Sequence, residues 1–416
     1  MTDNVTPKAL KDEKQGIYFG WIVVAGVFFM VAASCGSIYS FGVFFVPILK
    51  EFGWSRSVVS GIVFCFGIAY AITIPLIGIA ADRFGYKWIS ILTMGMMGAG
   101  FILGSFASSI WQMYLFIGLL PGIGACAAIP LPISLISHWF VKRQGLALGI
   151  SSAGIGVGAA IMPLLIAYIE TQAGWRMAML TLGTLILLTY IPIALFVMKL
   201  PQKGYVEAYE GLTQVQTQKV TINRKPDTTL FQALKTKYFW SLFIIFGFTI
   251  LCLGLILTHL VPYARDTGIS PLTAASLLTI VGFFSIAGRL AAGFISDRCG
   301  APKVLFWALL LQGIMMLWIP RIDSLGLFYT FALFFGVAYG ANLVMIPTLT
   351  ANIFGVKSMG AIYGSLSVAD GIGFAFGPLL AGYLFDLSGN YNSAFIFSAA
   401  GLFFALALTF VFRRNP

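Results

Sequence analysis

Two charges stand where an apolar chain tolerates them least. Arg289 sits in the run SLLTIVGFFSIAGRLAAGFIS, and Asp370 sits in GAIYGSLSVADGIGFAFGPLLAG. An ionised side chain in hydrocarbon costs several kcal/mol or more, so such residues face a cavity, pair with one another and mark the path of a substrate or ion. Arg289 lies eight residues before Asp297, about 12 Å from that helix end and too deep to reach the interface easily. Asp370 lies thirteen residues past Lys357, about 20 Å along its own helix. Both charges therefore approach the midplane. A guanidinium offers a planar fork that matches a carboxylate, and a buried Asp can take up a proton. The chemistry expected of the pair is binding of a small anion beside a proton acceptor, with a structural ion pair as the alternative.

These two residues need helices to hold them, and composition supplies those. Of 416 residues, 59% are hydrophobic and 9% charged, where soluble domains carry roughly 25% charge. Apolar runs of about 20 residues, enough to span a bilayer, recur along the chain. Twelve are expected, at about 18–42, 56–79, 88–106, 111–136, 144–169, 177–198, 239–263, 272–295, 303–319, 325–349, 359–384 and 391–412. They are too long for barrel strands. The polar first 16 residues read as a tail before an uncleaved first helix. None of the cysteines (35, 65, 126, 252 and 299) has metal-ligand spacing, and they read as small core residues. No cofactor or metal is expected. No nucleophile–base set or phosphate loop is present, which argues against an enzyme.

The net charge of +11 is a topology signal and not a nucleic-acid patch. Nineteen of the 25 Lys and Arg fall in the tails and on one side of the spans, five on the other side, and one is Arg289. The positive-inside rule then puts both termini in the cytoplasm, in a plasma (cell inner) membrane.

The chain repeats itself at an offset of 215 residues. Pro47 to Glu51 aligns with Pro262 to Asp266, and Gly53 and Ser55 with Gly268 and Ser270. Gly78, Asp82, Arg83 and Gly85 align with Gly293, Asp297, Arg298 and Gly300. Pro132 aligns with Pro347, and Gly145, Gly149, Gly156, Gly158 and Pro163 align with Gly360, Gly364, Gly371, Gly373 and Pro378. The expected fold is all-α and transmembrane, with twelve helices in two six-helix halves that rock about a central site. The expected boundaries are a tail at 1–16, halves at 17–198 and 231–412, a cytoplasmic linker at 199–230 and a tail at 413–416. Arg289 and Asp370 break the repeat, because their counterparts are Ile74 and Ile155.

Gly78-x-x-x-Asp82-Arg83-x-Gly85-x-Lys87 resembles the loop 2–3 signature of the major facilitator superfamily, and Gly293 to Gly300 repeats it. On that resemblance Asp82, Arg83, Asp297 and Arg298 are gating residues that latch helix ends. Trp139 to Gly149, with Ala153, Gly154 and Gly158, is similar to the fifth-helix signature of monocarboxylate transporters, as is the start Tyr18-Phe19-Gly20-Trp21. Oxalate–formate antiporters carry a like motif. The resemblance implies that Arg289 binds the substrate carboxylate. It also implies that Tyr39, Tyr114, Tyr339 and Asn342, on the cavity-lining helices one, four and ten, are further substrate-binding residues that complete the carboxylate's hydrogen bonds. Asp370 is assigned to proton coupling. His259 reads as a proton relay or outer-gate residue, with a hydrogen-bonded structural histidine as the alternative, and His138 as interfacial. Three positions depart from the pattern. Ser285 stands where animal transporters have an aspartate, Lys50 is the only candidate for their first-helix lysine but falls past the expected helix end, and Asp370 replaces the lysine that oxalate exchangers carry near that place.

The function this implies is proton-coupled symport of a small monocarboxylate, lactate- or pyruvate-like, by a monomer whose partners are that anion, a proton and the lipid bilayer. The alternatives are a carboxylate exchanger of the oxalate–formate type, a drug–proton antiporter and a carboxylate sensor that does not transport.

Overall fold

The computed structural model describes residues 18–128, 135–136, 138–140, 143–199, 201, 228–355 and 359–414, leaving out the side chains of residues 78, 79, 82, 144, 145, 359, 360, 413 and 414. Among the described residues the regular structure is helical. α1 runs Phe19–Phe52 with a one-residue turn at Ser40, and α2 is Arg56–Phe84. α3 is Tyr86–Gly104 and α4 is Ile110–Ala128. The continuous stretch Gln144–Phe196 is two helices, α5 (144–173) and α6 (175–196), broken at Gly174 with φ 81°. The second half holds α7 Lys237–Asp266, α8 Pro271–Cys299, α9 Ala301–Trp318, α10 Leu325–Phe354, α11 Met359–Ser388 and α12 Asn392–Leu408. Twelve spans result, in agreement with the hydropathy pattern. Several helices outrun the apolar stretch that betrays them: α1 continues to Phe52, so that Lys50, expected past the helix end, lies in its last turn, and α10 continues to Phe354, because hydropathy marks only the part inside hydrocarbon.

The terminal tail 1–16 lies outside the described residues, as does nearly all of 199–230; Leu230 opens a short helix, Leu230–Leu234, capped by Thr229. We call the side with the α2–α3 and α8–α9 turns the terminal face, and the opposite side, with the α1–α2 and α7–α8 turns, the far face.

The offset of 215 is written into the backbone. Gly85 and Gly300 both adopt positive φ (87° and 86°), and their N–H groups close α2 and α8 on Ala81 and Ser296. Gly53 pairs in the same way with Gly268, and Gly174 with Gly389. Ser55 and Ser270 cap the N-termini of α2 and α8. Each half also buries its own apolar core. Apart from Tyr39, Ala159 and Ala275, the two large clusters draw on one half each.

Small residues bring the helices into close contact, as membrane helices without a hydrophobic driving force require. Within the halves, α1 packs on α5 and α7 on α11. A Cβ at Gly158 would lie 2.0 Å from the Ala32 carbonyl oxygen, and one at the equivalent Gly373 would lie 2.3 Å from that of Gly247. Among the described residues the two most extensive seams between the halves are α2 on α11 and α5 on α8. Gly67 abuts Ala375 at the first, and its counterpart Gly282 abuts Ala159 and Ala160 at the second.

Candidate carboxylate and proton sites at the two seams

Arg289 lies at the α5–α8 seam. Its helix is pressed on α10 by Gly288, where a Cβ would come within 2.1 Å of the Val337 carbonyl oxygen. Gly340 of α10 abuts the Ser285 carbonyl in return. The Arg289 Nη1 donates a long hydrogen bond, 3.5 Å, to the Ser152 carbonyl of α5. Its Nε and Nη2 are buried and have no hydrogen-bond partner. Those two nitrogens share one edge of the guanidinium, the edge that a carboxylate bridges with both oxygens. Ser285, one turn before, donates to the Gly282 carbonyl at 2.7 Å, so this turn of α8 supplies no carboxylate to the guanidinium.

Tyr39 of α1 and Tyr339 of α10 meet across the two halves. The Tyr39 hydroxyl donates to that of Tyr339 at 3.0 Å, and both rings are buried. The charge of Arg289 acts on both tyrosines and on Cys35. Three of the five expected substrate residues are thus not scattered: Arg289, Tyr39 and Tyr339 form one group.

Asp370 lies at the other seam. Its Oδ2 accepts from the Tyr70 hydroxyl of α2 at 3.3 Å, and its charge also reaches Tyr363 and Cys35. The structural ion pair considered for Arg289 and Asp370 is absent. Among the described residues the ion pairs are Arg56–Asp266 and Arg176–Glu51. The acid is held by a phenol, and the guanidinium is left open. Cys35 of α1 is buried and lies in the field of both charges.

The remaining expected residues sit elsewhere. Asn342 is fully buried and turned into the second half, where its amide donates to Gln312 of α9 at 2.7 Å. It shares a helix with Tyr339 but not its partners, because three residues turn the side chain by about 60°. Tyr114 opens a π-helical segment, Tyr114–Leu119, inside α4, and its hydroxyl donates to the Val58 carbonyl at 3.0 Å within the first half. His259 is fully buried on the far side of α7, hydrogen-bonded through both ring nitrogens to Tyr391, Pro378 and Ser60. His138, between α4 and α5, makes an edge contact with Tyr86. Of the gating set, the Asp82 side chain lies outside the described residues. Arg83, Asp297 and Arg298 are exposed on the terminal face, with Arg298 over the Phe294 ring at 4.2 Å.

The two motif segments near the terminal face prove to be one structure. The Tyr18 hydroxyl donates to the Trp139 carbonyl at 2.6 Å, and the Trp139 indole donates to the Lys199 carbonyl at 2.8 Å. Phe19 packs on Trp139 and Trp21 on Phe140, with ring centroids 5.3 and 4.9 Å apart. This cluster ties the start of α1 to the α4–α5 connection and the end of α6. Sequence reasoning missed Tyr70 and Ser152. Tyr70 is a large polar residue on α2 where the repeat has the small Ser285 on α8, and that difference was its signal; Ser152 left none.

Comparison with known proteins agrees with this architecture. A family model described as Major Facilitator Superfamily matches residues 27–266 and 249–416. Monocarboxylate transporter 12 of Mus musculus is 28% identical over 418 residues, covering 94% of this chain and 84% of that protein. Monocarboxylate transporter 13 of Bos taurus is 28% identical, covering 92% of this chain and 87% of that one. Among solved structures, a bacterial homolog to the human lysosomal transporter Spinster, in an inward-facing and occupied conformation, superposes with a TM-score of 0.76 at 17% identity, covering 96% of this chain and 98% of that one. With the matched model spanning both halves, the chain belongs to the Major Facilitator Superfamily and is a multi-pass membrane transporter, not an enzyme.

Proposed function

We propose that this protein carries a small monocarboxylate together with a proton by alternating access. The observation that supports it most is the buried Nε–Nη2 edge of Arg289 without a partner. Leaving a charged donor edge dry and unpaired costs more than losing an ordinary hydrogen bond, so the site has reason to be filled by an anion. A monocarboxylate supplies two oxygens to that edge, and the Tyr39–Tyr339 hydroxyls stand ready to complete its hydrogen bonds. The relatives named monocarboxylate transporters point to the same substrate class.

Charge counting gives the proton its role. The empty centre, with Arg289 and an ionised Asp370, sums to zero. Loaded with a monoanion and a proton it again sums to zero, and a neutral centre crosses a low-dielectric barrier most easily. Because Asp370 is held by Tyr70 and not by Arg289, coupling works through the net charge of the centre and needs no direct contact between the two groups. A dianion would need a further proton.

The same proposal puts the protein in the plasma (cell inner) membrane as a monomer, with the halves joined at 199–230 and both ends in the cytoplasm. Asp82, Arg83, Asp297 and Arg298 latch that side. A cysteine at Gln216 labelled by an impermeant reagent from outside intact cells would contradict the orientation. The substrate test is uptake of labelled lactate, pyruvate, acetate and oxalate into proteoliposomes with and without a pH gradient. Accumulation of a monocarboxylate that follows the gradient is expected. Uptake that ignores the gradient but is stimulated by substrate on the opposite side would make the protein an exchanger instead. Binding without any flux would make it a sensor.

A further inference from the structure

On the far face one arginine of the first half is gripped by the second half from several directions at once. Arg56 occupies the first turn of α2. Its Nη2 donates to both carboxylate oxygens of Asp266, at 2.9 and 2.8 Å, and its Nη1 donates to the Tyr391 hydroxyl. Its guanidinium lies over the Phe385 ring, 4.0 Å from the centroid. The carboxylate of Asp386 accepts the backbone N–H groups of Arg56 and Ser57 at 3.1 and 2.8 Å. A side chain of one half thus caps the helix N-terminus of the other, where the dipole favours an anion.

A hydrogen-bonded chain continues inward. The Pro378 carbonyl can only accept, which assigns a proton to the Nε2 of His259 at 2.9 Å. In the neutral ring the Nδ1 then accepts from the Tyr391 hydroxyl at 3.0 Å. Tyr391 is thereby turned so that its oxygen faces Arg56. His259 is a positioning residue in this chain of bonds, with both ring nitrogens engaged.

The repeat explains why this grip exists at one seam only. Asp266 corresponds to Glu51, and Tyr391 to Arg176. In the first half Glu51 is satisfied at home, by Arg176 Nη1 and the Trp175 indole, each at 2.5 Å. In the second half the arginine has become a tyrosine. Asp266 makes no ion pair within its own half among the described residues and takes Arg56 from the other. Arg56 itself corresponds to Pro271, so no mirror-image grip forms. At the second seam Glu170 of α5 instead lies in the field of Arg265 and Lys50.

We infer that Arg56 is the gating residue that holds the far face closed, and that Asp266, Asp386 and Tyr391 are its receiving groups. Rocking that opens this face must pull the α2 N-terminus away from the ends of α7 and α11, and every contact of Arg56 and Ser57 named above crosses that gap. The pair suits a gate. Arg56 is 14% exposed and Asp266 is 41% exposed, so the bond can hydrate and release without stranding a dry charge.

The test reads conformation and not transport, so it stands or falls separately from the carboxylate reading. In a cysteine-free background, spin labels at Ala173 and Asn390 report the separation of the halves on the far face by pulsed electron resonance in nanodiscs, without substrate. Arg56→Ala is expected to raise the long-distance fraction about fivefold or more, with Asp266→Asn moving it in the same direction. The double variant should shift it no further than the larger single one, because both remove the same contact. Asp386→Asn carries the test if Arg56→Ala is not monodisperse, and it too should lengthen the distance. Unchanged distances in the folded variants, or additive shifts from Arg56 and Asp266, would overturn the assignment.

Discussion

The α2–α11 and α5–α8 seams are the same joint built twice, and they do different chemistry. Gly371 abuts Ala71 at the first as Gly156 abuts Ile286 at the second, and all four positions correspond through the repeat. Yet one seam holds Asp370 under a tyrosine hydroxyl, and the other holds Arg289 with an open edge. The residues facing those charges differ too, with Tyr70 on α2 where α8 has Ser285. Duplication supplied a frame in which helices approach closely enough to slide or rock. The carboxylate and proton sites we propose lie where the copies diverge, at residues with no counterpart at the offset.

The largest effect should come from removing the cation of the α5–α8 seam. Arg289→Ala is expected to weaken monocarboxylate binding by about a hundredfold or more, the scale for truncating one member of a buried hydrogen-bonded charge pair. Arg289→Lys should rescue little, because an ammonium cannot bridge two oxygens from one planar edge. Titration calorimetry on detergent-solubilised, monodisperse protein checks both, and near-normal affinity in the alanine variant would remove Arg289 from the site.

The anion of the other seam should separate two activities that the cation controls jointly. Asp370→Asn mimics the protonated acid permanently. Exchange of labelled for unlabelled substrate should persist, since the loaded centre stays neutral. Accumulation driven by a pH gradient should fail, since the empty centre now carries an unbalanced Arg289. Equal loss of both in the same vesicles would reduce Asp370 to a structural group.

Smaller effects should distinguish the seams as joints. A methyl at Gly371 would meet the Ala71 backbone at 2.8 Å, which has nowhere to go, whereas one at Gly156 would meet the flexible end of Ile286. Gly371→Ala should therefore slow exchange several-fold more than Gly156→Ala. Equal rates would mean that the close approach at 371 does not limit the motion. The smallest effect on binding is expected from Asn342→Ala. It should leave the Kd unchanged while costing about 1–3 kcal/mol of stability, since it strands the Gln312 amide. A weaker Kd without loss of thermal stability would return Asn342 to the substrate site.

Much of this was legible in the sequence, and the part that was not has a common cause. The spans, the repeat and the two intramembrane charges are read from composition and offset, which need no partner. Tyr39 and Tyr339 are polar residues deep in apolar helices, and their helix numbers put both among the cavity candidates, though not as partners of each other. Asn342 looked equivalent on the same grounds, but its direction depends on Gln312, thirty residues away on α9. His259 could not be resolved between relay and structural roles, because its partners Ser60, Pro378 and Tyr391 lie 119 to 199 residues off. Arg56 reads in sequence as one of five basic residues on the sparse side. Nothing local to it says that its carboxylates come from the other half.

The positive-φ glycines, which recur as 53 and 268, 85 and 300, and 174 and 389, bear on descent. Turns shared at one constant offset are what a doubled gene leaves behind, and the single-length forerunner would have worked as two identical copies facing each other. Identity imposes a parity rule on such a pair. Whatever charge it placed at one joint it placed at the other, so its centre held each kind of charge twice or not at all. A balanced centre with one of each sign is open only to a fused chain whose halves mutate separately. The step from self-association to fusion is thus what made a neutral carrier with a single acid and a single base attainable.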